Sequence, residues 1–298
     1  MRTLITGGTG FVGRHLIQQL DNPVLLGRNP EKAGKIPGVH NAYAWKSNEL
    51  PPAEAFQGVD CIFHLAGESV YKGRWNREKK KRIRDSRVQG TGNLVQLIST
   101  LADPPKILIS ASAIGYYGSC GDEELTETSP PGTDFLATVC DAWEKEAQKA
   151  TKLGVRVVQV RIGVALGIDG GALKQMLPPF KLGMGGRLGD GKHFMSWIHI
   201  DDLVGLMLHA AHCQDLHGPV NGVSPHPVIN REFTKMLAEA VRRPAFFPVP
   251  GGLLNLALGE FSSVLLSSQR VVPEKIMQHG YTFIHPALRP ALHSLINA

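Results

Sequence analysis

The chain has few cysteines and no long hydrophobic run. Its four cysteines, Cys61, Cys120, Cys140 and Cys213, are scattered over 298 residues and form no Cys-x-x-Cys pair. This spacing argues against a disulfide framework and favours reduced thiols in a cytosol. No apolar run reaches the roughly 18 residues that a membrane span needs. The first residues, MRTLITGGTG, have the pattern of a strand and a turn rather than of a cleavable signal. The sequence therefore predicts a soluble, cytoplasmic protein with no membrane partner.

The sequence also gives little support for a bound metal or for a nucleic-acid partner. His209, His212 and Cys213 lie close together in the sequence, but no second cluster of ligands completes a tetrahedral zinc site, so we expect no metal. The basic run at 71–87 carries no recognised reader motif, and its helical spacing is typical of a solvated helix. We therefore expect no nucleic-acid partner. The net charge of +6 suits an anionic small molecule but gives little evidence by itself.

Short apolar runs alternate with longer segments of helical spacing. The runs of strand length lie at 3–7, 23–27, 61–67, 106–112 and 155–163. Strands that alternate with helices predict βαβ units and a parallel sheet covered on both faces. From about Gly167 the sequence becomes dense in Gly and Pro, and then richer in Pro and aromatic residues. This change predicts a smaller second lobe built from the later residues.

The strongest signal is the stretch LITGGTGFVGRHLIQQL. Gly7, Gly10 and Gly13 lie between an apolar strand and an amphipathic helix. One glycine permits the tight turn, another lets the backbone approach a pyrophosphate, and the last lets the helix pack close to the sheet. The N-terminus of the helix then holds phosphates. This context predicts a dinucleotide site, and the alternative is a purely structural glycine turn.

The end of the second strand distinguishes the two nicotinamide cofactors. Its sequence, LLGRNPEK, places Gly27 and Arg28 where an Asp or Glu would bind a ribose hydroxyl. A guanidinium can bind a 2′-phosphate that a carboxylate would repel. We therefore expect NADP(H) rather than NAD(H), with Arg28 on the 2′-phosphate. The alternative for Arg28 is an exposed side chain at a strand end.

These motifs resemble the extended short-chain dehydrogenase/reductases, the NAD-dependent epimerase/dehydratase family. The similarity covers nearly the whole chain: TGGTGFVG resembles the cofactor loop, VDCIFHLAGES the fourth strand, and RVQGTGNLV the Asn-x-x-Gly-Thr-x-Asn helix. The stretches LAGE, GYYG, MLPPFKLGMGG, WIHIDDL and SQRVVPEK are similar to one branch, the YfcH-like proteins called "epimerase family protein". No settled reaction accompanies the name of that branch.

The resemblance implies a set of cofactor-binding positions. Arg28 would contact the adenosine end, and Leu65 and Ala66 would lie beside the adenine and ribose. The pyrophosphate would be lined by Gly7, Gly10, Phe11, Val12 and Gly13. Arg87, at the Asn position of the family, would also approach the cofactor, and Val164 and Ala165 would border the nicotinamide. The implied fold is α/β, a doubly wound parallel Rossmann-type sheet with a smaller C-terminal substrate lobe. We expect an NADP(H)-binding domain at 1–165 with a returning segment at about 196–224, and the substrate lobe within 166–298.

The catalytic positions of the family are replaced. Leu136 stands at the Tyr position, Cys140 at the Lys position and Ala113 at the Ser/Thr position. The candidate substitutes are Tyr117, Ser112 and Cys140, and a structural role is an open alternative for each of them. Losing a positioned acid–base group typically lowers the rate by about 10²- to 10⁴-fold, while cofactor binding can survive.

One later loop is a candidate part of a substrate site. In GGRLGDGKHF, Arg187 and His193 could hold an anionic substrate group, or the segment could be a mobile surface loop.

The sequence leaves two functions open. The first hypothesis is an NADP(H)-dependent oxidoreductase or epimerase-like enzyme with non-standard proton-transfer residues. Its substrate would be a nucleotide-linked sugar or another anionic carbonyl or alcohol compound. The second is a catalytically silent NADP(H)-sensing protein that acts through a partner.

Overall fold

A seven-stranded parallel sheet forms the centre of the protein. The computed structural model describes residues 1–39 and 41–297. The sheet strands, in spatial order, are β11 (Gly218–Gly222), β7 (Arg156–Ile162), β5 (Ile107–Ala113), β4 (Cys61–His64), β1 (Thr3–Thr6), β2 (Val24–Gly27) and β3 (Asn41–Ala44). Every neighbouring pair runs parallel. The predicted α/β fold with a Rossmann-type parallel sheet is confirmed.

Helices cover the sheet, and short strands form three separate pairs outside it. The helices are α1 (Phe11–Ile17), α2 (Pro30–Gly34), α3 (Arg77–Ile98), α4 (Phe135–Gln148), α5 (Gly171–Lys181), α6 (Ile200–His212), α7 (Asn230–Ala240), α8 (Gly251–Leu258), α9 (Phe261–Leu266), α10 (Glu274–Gln278) and α11 (Leu288–Ile296). The short strands are β6 (Glu124–Leu125), β8 (Val164–Leu166), β9 (Phe194–Met195), β10 (Trp197–His199), β12 (Val228–Ile229) and β13 (Arg270–Val271). They pair as β8 with β10, β9 with β12 and β6 with β13. Among the described residues, no helix combines the length and the apolarity needed to cross a bilayer.

The alternation of side chains along each strand builds two cores at once. Leu4 and Ile62 point into one hydrophobic cluster, and their neighbours Ile5 and Phe63 point into the other. All four side chains are fully buried. Strands covered on both faces need apolar residues at every position, which is why the sequence shows continuous apolar runs.

The order of the strands creates one switch point. β1 lies between β4 and β2, so the chain leaves β1 toward one side of the sheet and leaves β4 toward the other. Ligands of open α/β sheets bind outside the carboxyl ends of the strands at such a point. β11, from within the predicted returning segment, adds the strand at one edge. The division of the chain into two lobes stays a prediction.

A buried histidine lies beside this switch point. His64, at the end of β4, is fully buried, and its Nδ1 and Nε2 atoms lie 2.7 Å and 2.9 Å from the hydroxyls of Thr6 and Thr91. The Thr6 hydroxyl also accepts a hydrogen bond from the N–H of Ala66 at 3.1 Å. Burial lowers the pKa of His64 to about 4, so the ring stays neutral. The side chain thereby fixes the backbone that follows β4.

We predict that His64 makes the fold sensitive to acid. Its pKa is lower in the folded chain than in the unfolded chain, so the stabilisation is complete above about pH 6.5 and decreases as the pH falls toward 4, by up to about 3 kcal/mol. Urea unfolding at several pH values between about 4.5 and 7.5 should show this slope. His64→Gln should flatten it, whereas His226→Asn, at an exposed position, should keep it. An unchanged slope in His64→Gln would show that other groups are responsible.

Candidate functional site

The turn between β1 and α1 is a cradle of bare backbone. Gly7 has φ of +72°, and a Cβ on it would lie 2.8 Å from the carbonyl of Leu65. The N–H of Gly10 donates to the carbonyl of Gly7 at 2.9 Å. A Cβ on Gly13 would lie 2.6 Å from that same carbonyl oxygen. These positions therefore require glycine, and their close spacing leaves the N-terminus of α1 open to a phosphate group.

Phe11 opens α1 and packs against a second group of glycines. Methyl groups on Gly170 and Gly167 would lie 2.3 Å and 2.5 Å from its ring. In the same loop, Asp169 accepts from Arg14 at 3.2 Å, and its other carboxylate oxygen lies 3.1 Å from Nε2 of His15. The loop after β8 therefore fixes the outer face of α1. Phe11 contributes its backbone to the cradle while its ring holds this loop.

The other residues implied to bind cofactor lie along the carboxyl edge of the sheet or just beyond it. Leu65 and Ala66 follow β4 and border Gly7. Arg28 follows β2 and is exposed, and no carboxylate oxygen of the described residues lies within 4 Å of it. Val164 and Ala165 are half-buried in β8, and Val12 is half-buried in α1. The bare backbone of the cradle and a free guanidinium at the end of β2 fit a nicotinamide dinucleotide with a 2′-phosphate.

A buried ion pair joins β7 to α4. The Nε and Nη2 atoms of Arg161 donate to the two carboxylate oxygens of Glu144 at 2.9 Å and 2.8 Å. Ser112 donates its hydroxyl hydrogen to the same carboxylate at 2.6 Å. The hydroxyl of Tyr117 accepts from Arg161 at 2.9 Å and donates to Asn221 at 2.6 Å. Burial opposes the charge of Arg161, but the bonds to Glu144 outweigh it and raise the pKa of Arg161.

Tyr117 and Ser112, the two hydroxyls predicted as candidate substitutes, both belong to this network. Tyr117 is 1% exposed, and burial raises the pKa of its phenol to about 12. Ser112 is 3% exposed and is committed to Glu144. Both hydroxyls have partners inside the protein, so neither is placed to exchange a proton with a ligand. The alternative structural role fits both residues.

Cys140 is also unsuited to chemistry at neutral pH. It is buried on α4, and burial raises the pKa of its thiol to about 12, so no thiolate is available. Leu136, one turn earlier, packs with Cys140 against Gly115. Ala113 ends β5. The three positions that carry Tyr, Lys and Ser/Thr in the family therefore offer no group that gains or loses a proton near neutral pH.

A basic cavity of about 730 Å³ lies around α7. Its cationic lining residues are Arg187, Arg231, Lys235, Arg242 and Arg243. Its acidic lining residue, Glu239, is bound to Arg289, so the cavity favours an anion. The sequence did not predict the role of Arg231 and Lys235 in this lining, because the charge pattern of α7 alone does not show that the loop with Arg187 lies beside it.

His193 does not join Arg187 in this cavity. Its ring is 8% exposed and its Nε2 atom has no hydrogen-bond partner among the described residues. Burial lowers the pKa of His193, so the imidazole is not a ready cation at neutral pH. Of the two residues, Arg187 lines the basic cavity and His193 does not, and the binding of an anionic group by either stays a prediction.

The fold also brings His199, Asp201 and His285 together, a grouping that the sequence did not predict. The two imidazole rings are stacked with centroids 3.8 Å apart, and Nδ1 of His199 accepts a hydrogen bond from the N–H of Asp201 at 3.1 Å. The nitrogen of His199 nearest the carboxylate is already used as the N-cap of α6.

Comparisons with known proteins agree with this architecture. Residues 3–221 match the NAD dependent epimerase/dehydratase family, and residues 249–295 match a domain of unknown function. The chain is 40% identical to the epimerase family protein SDR39U1 homolog, chloroplastic, of Arabidopsis thaliana, with 99% of this chain and 87% of that protein covered.

Two solved structures are also similar. The human epimerase family protein SDR39U1 (isoform 2), solved with NADPH, has a TM-score of 0.88 and 34% identity, covering 100% of this chain and 99% of that one. The nucleoside-diphosphate sugar epimerase from Corynebacterium glutamicum has a TM-score of 0.79 and 36% identity, covering 100% of this chain and 58% of that one. The glycine cradle, the sheet order and these matches together show that the chain belongs to the NAD-dependent epimerase/dehydratase family.

Proposed function

We propose that this chain is an NADP(H)-dependent oxidoreductase of the epimerase class that acts without the usual tyrosine. The observation that carries the proposal is the bare glycine cradle together with Arg28, which follows β2, is exposed and has no ion pair within the described part of the chain. A guanidinium there can bind a 2′-phosphate bidentately. The human relative solved with NADPH supports this choice of cofactor.

The missing acid–base groups define how the reaction must proceed. When bound, the reduced cofactor would supply a hydride to a carbonyl carbon. The carbonyl oxygen would need one proton, and we propose that water supplies it, because the hydroxyls of Tyr117 and Ser112 are bound to Arg161 and Glu144. The residues of the chain bind and orient the reactants, and these contributions survive the loss of a positioned acid.

The substrate that we propose is anionic. The cavity around α7 presents five cationic side chains, and its acidic residue is already paired. A nucleotide-linked sugar satisfies this charge, and the Corynebacterium relative is named a nucleoside-diphosphate sugar epimerase. Another phosphorylated carbonyl or alcohol compound satisfies it equally well.

One observation favours a second function. The described positions that carry Tyr, Lys and Ser/Thr in the family offer no free acid or base, as Leu136, Cys140 and Ala113 show. A protein that binds NADP(H) and signals through a partner needs the cradle but no proton donor. Turnover with any carbonyl compound separates the enzyme from this sensor.

Nucleic acid is not among the proposed partners. Three lysines near the start of α3 have carboxylate partners: Lys79 with Glu68 at 2.6 Å, Lys80 with Glu260 at 2.5 Å and Lys81 with Asp85 at 2.5 Å. Lys79 is buried rather than solvated as the helical spacing indicated. A small molecule remains the proposed partner, and the cytoplasmic location stays a prediction.

We predict that Arg28→Ala weakens the binding of NADPH by about 10-fold or more and leaves the binding of NADH nearly unchanged. The expected loss is that of a charge-assisted hydrogen bond to the 2′-phosphate, roughly 1.5–3 kcal/mol. Titrations that follow NADPH and NADH fluorescence measure both constants. Arg2→Ala, at the amino edge of the sheet, is the matched control. Equal losses for both cofactors would contradict the assignment of Arg28.

We predict that Tyr117→Phe lowers the free energy of unfolding by about 1–3 kcal/mol, because Arg161 and Asn221 each lose a buried partner. The dissociation constant for NADPH should change by less than about threefold. Turnover of any carbonyl substrate found should also stay within about threefold. Tyr71→Phe, at an exposed position, is the control for stability. A stable variant with turnover reduced by about 10²-fold or more would instead make Tyr117 the proton donor.

We predict that phosphorylated carbonyl compounds are preferred over their uncharged analogues, and that Arg231→Ala and Arg187→Ala reduce this preference. Each should raise the KM for the charged compound by about 10-fold while leaving the binding of NADPH unchanged, since the cavity and the cradle are built from different residues. NADPH consumption against paired compounds is the measurement. Tight NADPH binding with no turnover of any compound would favour the sensor.

A further inference from the structure

Four large apolar side chains are exposed on two neighbouring loops. Leu182 and Met184, which follow α5, are 70% and 57% exposed, and Phe246 and Phe247, which follow α7, are 81% and 64% exposed. Single exposed apolar side chains are normal on a protein surface, but a contiguous exposed group marks a contact with another molecule. These four residues are called the apolar patch below.

The backbone contacts between the two loops show that the patch is continuous. The Nε atom of Arg243 donates to the carbonyl of Lys181 at 3.3 Å, and the N–H of Val249 donates to the carbonyl of Arg187 at 2.8 Å. The two loops therefore run side by side in the same direction. On each loop, the members of the patch lie between these two contacts, so the four side chains share one surface.

The patch belongs to a fixed part of the fold. A Cβ on Gly186 would overlap the carbonyl of Phe247, so the absence of a side chain there lets the two loops come into close contact. The exposed side chains are thus held in position by their backbone and not by an apolar partner within the protein.

Cations border the apolar patch. Lys181 ends α5 directly before it, and Arg242 and Arg243 precede its two phenylalanines on the other loop. All three side chains are exposed, and none has an ion pair among residues 1–39 and 41–297. The acidic neighbour Glu239 is bound to Arg289. The border of the patch is therefore positive and fits an anionic partner.

Arg242 also has a backbone conformation that usually requires glycine. It follows Val241, the C-cap of α7, and its φ is +53°. A side chain is unfavourable in this left-handed region, which is why glycine is common directly after a helix. An arginine kept in such a conformation indicates a use for its side chain.

Apolar side chains bordered by cations match an anionic membrane better than a second protein chain. Four side chains fall short of the roughly 800 Å² per partner that a stable protein interface buries. Segments that lie on a membrane surface, by contrast, insert a few aromatic or aliphatic side chains while Lys and Arg contact anionic headgroups. The expectation of no membrane partner came from the lack of a spanning run, and a surface contact needs no such run.

We propose that the apolar patch and the three cations at its border dock the protein on an anionic membrane surface. The two phenylalanines insert among the lipid headgroups, and the cations bind the lipid phosphates. This contact goes beyond the proposed function, because it requires neither cofactor nor turnover. Arg242 and Arg243 also line the basic cavity, so docking places the opening of that cavity beside the membrane.

The test measures sedimentation of the full chain with vesicles of phosphatidylcholine alone and with vesicles that contain about one third phosphatidylglycerol. The wild type should bind the anionic vesicles at least about 10-fold more tightly, and added NaCl should weaken this binding. Phe246→Ser/Phe247→Ser should weaken it by about 10-fold or more. Ile284→Ser, at a position 69% exposed before α11, is the matched control and should bind like the wild type.

A second variant tests the charges separately. Lys181→Gln/Arg242→Gln should weaken the binding of anionic vesicles by about 10-fold, because each cation near an anionic surface contributes to the attraction. All four substituted side chains are exposed, so both double variants should unfold at the temperature of the wild type. Thermal unfolding checks that each variant is folded.

The outcomes distinguish the membrane from other occupants of the patch. A wild-type chain that binds no vesicles, or binds neutral and anionic vesicles equally well, overturns the proposal. Binding of anionic vesicles that both double variants retain also overturns it. Light scattering without vesicles tests for a second copy: an oligomer that Phe246→Ser/Phe247→Ser converts to monomers assigns the patch to an interface between chains. Selective binding of anionic vesicles that the folded double variants lose supports membrane docking.

Discussion

The ion pair between Arg161 and Glu144 is the interaction on which the arrangement of β5, β7, β11 and α4 depends. It is buried and bidentate, and it connects β7 of the sheet to α4. Removing one partner of such a pair typically costs about 3–5 kcal/mol, because the other charge is left buried and unpaired. Two hydroxyls bind to this pair: Ser112 of β5 donates to Glu144, and Tyr117, in the turn after β5, accepts from Arg161. Tyr117 also donates to Asn221 of β11, so β5, the turn that follows β5, and β11 are all joined to the ion pair. The hydroxyls that the sequence offered as catalytic candidates are used to satisfy this pair.

The cofactor edge is built on a different principle. Its shape comes from the absence of side chains at Gly7, Gly10 and Gly13, where any Cβ would meet backbone at 3.0 Å or less. Its support comes from buried polar contacts, since His64 and Thr6 fix the backbone at Ala66. Phe11 and the loop after β8 fix α1 from the other side. The dinucleotide cradle is therefore rigid without contributing any acid or base.

These two features together explain how a family scaffold can retain its cofactor and change its chemistry. Binding depends on backbone shape and on cations at the edge of the sheet, and the chain keeps both. Proton transfer depends on a few side chains of α4 and β5, and these are now Leu136, Cys140 and Ala113. Arg87 of α3 lies with its guanidinium carbon 5.1 Å from the centroid of the Trp143 ring on α4, and a basic cavity lies at α7. The glycine cradle and the basic cavity are thus built from separate sets of residues.

The sequence by itself determined the features that depend on local pattern. Apolar runs predicted five strands of the sheet, and the glycine spacing predicted the turn before α1, because strand burial and backbone conformation depend on neighbouring residues. The pattern gave no sign of β3, whose four residues are partly exposed. Only the tertiary structure decided which polar side chains are free. Tyr117 meets Asn221 across 104 residues, and Lys79 is buried against Glu68 in a run that looks solvated. Whether a hydroxyl or a charge can act on a ligand depends on partners and burial supplied by distant segments, and these exist only once the chain has folded.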